Sequence, residues 1–92
     1  MELDRSAAYV AARTAFGACP FARSLARDML AATAEGVCAR SPRHVRAALA
    51  SALQLSATCE HAGAHGAQLA VGRAIVALAL LLHAEGVTGD LG

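Results

Sequence analysis

The chain has 92 residues, a net charge of +1 and an apolar content of 57%, and 25 of its 52 apolar residues are alanine. That length holds one domain, 1–92, with no room for a second core. The composition excludes a disordered chain, which is more charged, and a β-sandwich, which needs more β-branched and aromatic residues. Three cysteines are too few for a disulfide-rich secreted module of this size.

Alanine loses no side-chain entropy in a helix, so an alanine-rich chain reads as all-α and its punctuation sets the organisation. Asp4 or Ser6 caps a first helix reaching Phe16, with Tyr9, Ala12 and Phe16 on its apolar side and Gly17 as its end. Pro20 suits the first turn of a second helix, which sets Phe21, Leu25 and Met29 at four-residue spacing with Leu30 beside them. Gly36 fits a left-handed C-terminal cap. Ser41-Pro42 is the clearest start signal, an N-cap hydroxyl followed by proline. The third helix places Val45, Leu49, Leu53 and Ser56 on one face, widened by Ala48, Ala52 and Cys59. Gly63 or Gly66 breaks it. A last helix runs from Gln68 to Glu85 and is apolar nearly all round, with Leu69, Val76 and Leu80 on one side and Ile75, Leu78 and Leu82 on the other. Gly86 ends it. Such a helix is central or lies at an oligomer interface. The expected fold is a small helical bundle of about four main helices, completed by oligomerisation.

Two patterns recur. Ala34-Glu35-Gly36-Val37 returns as Ala84-Glu85-Gly86-Val87, which reads as two helices ending in the same cap. Ala62, Gly66, Ala70 and Ala74 lie four apart, so on one continuous helix they share a face.

Charge and hydropathy narrow the partners. All eight basic residues are Arg, balanced by seven acids, so no nucleic-acid partner is implied. Arg40, Arg43, His44 and Arg46 cluster at the entrance of the third helix and read as a solvated helix start. The most apolar run, Ala74 to Leu82, is shorter than the ~20 residues that span a bilayer, so no membrane is implied. The charged N-terminus is unlike a signal peptide, and an odd cysteine count leaves a free thiol. Both suit a cytoplasmic protein.

Chemistry-bearing side chains concentrate in one segment, Cys59, Glu60, His61 and His65. A cysteine reacts as its thiolate, and a nearby imidazole lowers its pKa or takes its proton. Cys59, Glu60 and His65 are therefore the candidate catalytic residues, acting on a small-molecule substrate. His61 and His65 are four apart and form a possible two-ligand metal or haem edge, a weaker alternative because further ligands must arrive by folding. No phosphate-cradling loop and no Gly-x-Ser-x-Gly elbow are present, and no cofactor is implied.

Three stretches carry a family likeness. They are Phe16-Gly17-Ala18-Cys19-Pro20 with the following Arg23-Ser24-Leu25-Ala26, then Ser41-Pro42-Arg43-His44-Val45-Arg46, then Leu49 to Leu55 with Cys59-Glu60-His61-Ala62-Gly63-Ala64-His65. Over Phe16 to Ala70 the chain resembles the carboxymuconolactone decarboxylase and alkyl hydroperoxidase D-like family. The resemblance implies a helical core and thiol-dependent peroxide or small-molecule chemistry. Cys59 matches the first cysteine of the family's Cys-x-x-Cys, but Ala62 stands for the second, Ala47 for the glutamate and Gly66 for the histidine. His65 matches only with a one-residue shift. A competing expectation is a non-catalytic oligomerisation or interaction module built on the last helix.

Overall fold

The computed structural model describes residues 5–84. Those residues form four helices, α1 (Arg5–Ala18), α2 (Arg23–Ala39), α3 (Pro42–His61) and α4 (His65–Ala84), with a short 3-10 turn at Pro20–Ala22. No strand occurs among the described residues. Each helix packs on its sequence neighbours, and α1 closes the ring against α4. The short connections oblige consecutive helices to reverse direction, giving a compact all-α bundle.

Helix α1 buries only Ala8, Ala12 and Ala15, and the same stripe continues into buried Cys19. Tyr9 and Phe16 sit at its edges, and the helix passes through Gly17 to Ala18. An added Cβ at Gly17 would meet nothing within 4 Å, so that glycine neither caps nor packs. Pro20 opens the 3-10 turn, and α2 starts only at Arg23. Phe21 therefore falls outside α2 and stays exposed, while Ala26, Met29, Thr33 and Gly36 face the core. The Thr33 hydroxyl donates to the Met29 carbonyl at 2.7 Å, which satisfies it inside the apolar core.

Gly36 is not the cap that the sequence suggests. Helix α2 continues three residues past it, and Arg40 takes the left-handed position with φ 52° and ψ 44°. Gly36 has a packing role instead. A Cβ there would lie 2.7 Å from Val45 Cγ2 and 3.2 Å from the Val45 nitrogen. Its bare backbone lets the start of α3 close onto α2. Its carbonyl accepts from the Arg40 N–H, from the Ser41 N–H at 3.2 Å and from Arg5 Nη1 at 3.2 Å. The repeated Ala-Glu-Gly-Val is thus a helix interior in its first copy. The second copy continues beyond Ala84, and with Asp4, Glu85 and Gly86 it lies outside the described residues.

Helix α3 begins at Ser41-Pro42 as expected. The Ser41 hydroxyl makes no cap to the backbone and instead pairs with His44 Nδ1 at 2.9 Å. The buried stripe is Val45, Ala48, Ala52, Leu55 and Cys59. Leu53 is exposed and Leu49 and Ser56 lie at the edge, so the inward face is rotated from the one expected. Alanines take the centre of that stripe, where small side chains let the neighbouring helices approach. The helix stops at His61, and Gly63 makes the turn with φ +70°. Amide donors from Ala62, Gly63 and Ala64 close the last turn onto Thr58, Glu60 and Cys59. This turn separates Ala62 from Gly66, so the four-residue ladder does not lie on one helix.

Helix α4 starts at His65, three residues before the expected Gln68. Val71, Ala74, Leu78, Leu81 and Leu82 fill the core, while Leu69, Val76 and Leu80 face outward at 63%, 58% and 45% exposure.

Gly36→Ala gains helix propensity but must displace Val45, so we expect a net loss of about 1 kcal/mol in urea unfolding. Arg40→Gly relieves the left-handed backbone and should raise stability by about 0.5 kcal/mol in the same measurement.

Candidate functional site

The two buried cysteines come together although 40 residues apart. Cys19 extends the alanine stripe of α1 by one turn, four residues after Ala15. Cys59 does the same on α3, four residues after Leu55. Both positions lie at chain junctions, Cys19 between α1 and the 3-10 turn and Cys59 in the last turn of α3. Their sulfurs are 3.7 Å apart and both residues are fully buried. Either thiol donates a weak S–H hydrogen bond to the other.

That environment holds a thiol in its protonated form. Burial, the hydrogen bond with Cys59 and the repulsion of a second thiolate push the Cys19 thiol up to about 12. All three cysteines are free thiols, and Cys38 is the exposed one.

The other candidates lie elsewhere. Glu60, His61 and His65 are all solvent-exposed, whereas Cys59 points into the core. His61 ends α3 and His65 opens α4, so the Ala62–Ala64 turn stands between them and the expected shared helix face is lost. Among the described residues no group of three or more His, Cys, Asp or Glu side chains is placed to hold a metal ion. His65 lines an open cleft of about 810 Å³ whose walls include Leu69, Gly72, Arg73, Val76 and Leu80 of α4 and Ala7 of α1. Cys59, Glu60 and His61 do not line that cleft. A second cleft, of about 400 Å³, continues it along α1 through Ala7, Val10 and Arg73.

Two features were not read from the sequence. For the Cys19–Cys59 pairing the sequence shows only that each cysteine falls one turn beyond an apolar stripe, and the packing decides that the two stripes end together. The outer face of α4 had no signal, because a helix apolar all round does not say which side stays uncovered. Among the described residues α4 is also the one helix long and apolar enough to cross a bilayer by length and composition.

No family model, no curated protein and no solved structure matches the chain.

Iodoacetamide should label Cys38 much faster than Cys19 and Cys59 in the folded protein, with the three rates converging only in denaturant, as read by peptide mass. The raised Cys19 pKa also sets a pH dependence. Below about 9, the ordinary thiol value, neither state loses the proton and the contribution to stability is complete. Between about 9 and about 12 the unfolded thiol ionises while the folded one does not, so stability falls. Cys19→Ala should flatten this part of the urea-midpoint profile relative to the parent.

Proposed function

We propose that the chain is a self-associating helical module that pairs with a second copy through the outer face of α4. The observation that carries this reading is the stripe Leu69, Val76 and Leu80, three large apolar side chains about half exposed or more on one helix. Isolated exposed leucines need no explanation, but a contiguous stripe beside apolar clefts marks a contact surface. The thin core gives a motive. Eight of the 17 buried apolar residues among the described ones are alanine, and burying alanine removes little apolar area.

The face is self-complementary in its spacing. A two-fold axis crossing α4 between Ala74 and Ile75 sets Leu69 opposite the partner's Leu80, Gly72 opposite the partner's Ala77 and Arg73 opposite the partner's Val76. Large residues then meet at both ends, and small ones let the helices approach near the axis. The Arg73 stem lies over an apolar neighbour while its guanidinium reaches water at the edge. A bilayer would treat Arg73 differently, since an arginine near its centre costs about 3 kcal/mol. A net charge of only +1 puts little repulsion between two copies.

The size is adequate. Helix α4, with 20 residues, is about 30 Å long. With α1 alongside, the plane is about two helix diameters wide, which gives roughly 600 Å² per copy. The total of about 1,200 Å² is the lower bound of stable, specific interfaces.

Sedimentation velocity over the micromolar to near-millimolar range should show a monomer–dimer equilibrium. Leu69→Glu with Leu80→Glu, both outside the core, should weaken it about a hundredfold or more while the helical circular dichroism persists. A wild-type chain that stays monomeric throughout overturns the proposal. So does a monomer that floats with phosphatidylcholine vesicles, which would make the occupant a membrane.

A further inference from the structure

We propose that Cys19 and Cys59 are a two-electron redox pair that closes into an internal disulfide and staples the α1–α2 junction to the end of α3. The placement carries this, independently of how α4 pairs. The sulfurs lie 3.7 Å apart and both residues are fully buried, so forming the bond requires the sulfurs to close by roughly 1.7 Å. Neither sulfur sits in mid-helix. Cys19 lies between two helical elements, and Cys59 lies three residues before the turn at Ala62. Such junctions open locally at less cost than helix centres, which gives a small oxidant access without global unfolding. Reclosing then holds the second thiol against the first at high effective concentration. Cys38, exposed on α2, belongs to neither junction.

The oxidant is of the hydroperoxide class, which is small and uncharged. On local opening one thiol is wetted and loses its proton to water; that thiolate attacks a peroxide oxygen, breaks the O–O bond and becomes a sulfenic acid, and the leaving hydroxide takes up a proton to become water. The second thiolate attacks the sulfenic sulfur, forms the S–S bond and expels hydroxide, which is protonated to a second water. Two thiols and one hydrogen peroxide thus give one disulfide and two waters, the sulfurs losing the two electrons that the peroxide gains. A reducing thiol reverses the closure. The closed form restricts the unfolded chain by tying residues 40 apart, so oxidation stabilises the fold.

The test uses the full chain carrying Cys38→Ser, which removes the exposed thiol and leaves the core intact. The folded protein is treated with hydrogen peroxide without denaturant, then alkylated and mapped by mass spectrometry. The expected result is one peptide pair joining Cys19 to Cys59 in a protein that runs as a single chain on a denaturing gel without reductant. The bond disappears in dithiothreitol, and the oxidised form has the higher thermal midpoint. Two free thiols after prolonged exposure overturn the proposal. Sulfinic or sulfonic acid at either cysteine, or disulfides between molecules, overturn it as well. A bond that forms but lowers the thermal midpoint overturns the staple.

Discussion

Helices approach one another only as far as the side chains between them permit, and this bundle is set by alanine. All three residues that α1 buries are alanines, and α3 presents Ala48 and Ala52 at the centre of its inward stripe. Small side chains bring the axes close, which favours dispersion contacts along the backbones. The same choice limits the apolar area removed from water. The larger side chains are gathered where space remains, with Met29 on α2, Leu55 on α3 and Leu78, Leu81 and Leu82 on α4. Close approach and a thin core are two consequences of one composition.

Among the described glycines, Gly36 is the one where a neighbouring helix leaves no room for a Cβ. With no side chain there, Val45 packs onto α2, and the Gly36 carbonyl gathers donors from Arg40, Ser41 and Arg5. One backbone position therefore ties the end of α2, the start of α3 and the first residue of α1. The two-residue link at Arg40 and Ser41 leaves no slack, which is why Arg40 accepts a left-handed backbone there. At the opposite turn Gly63 adopts positive φ with open space around it, so that glycine serves conformation and Gly36 serves packing.

The two proposed roles concern different parts of the bundle. The α4 face is a stripe of large apolar side chains beside open clefts, and it supports pairing with a second copy. The dithiol is buried at the junctions and concerns what holds the ends of the helices together. The exposed positions of Glu60, His61 and His65 leave Cys59 with another thiol, Cys19, as its neighbour instead of an imidazole.

The sequence by itself determined the all-α class, the four helices of the described residues and the start of α3 at Ser41-Pro42. Those follow from local rules: alanine propensity, and a proline whose missing N–H suits a first turn. The tertiary structure decided which face of each helix turns inward, because alanine and leucine are equally apolar in a pattern and only the distance to the neighbouring helix selects between them. It decided that Gly36 is a contact and Arg40 the cap, since a glycine near a helix end fits both roles until Val45 arrives. It decided that His61 and His65 stand on different helices, because the turn at Gly63 intervenes. It also brought Cys19 to Cys59, a pairing over 40 residues that no local spacing encodes and that the packing of α1, α2 and α3 creates.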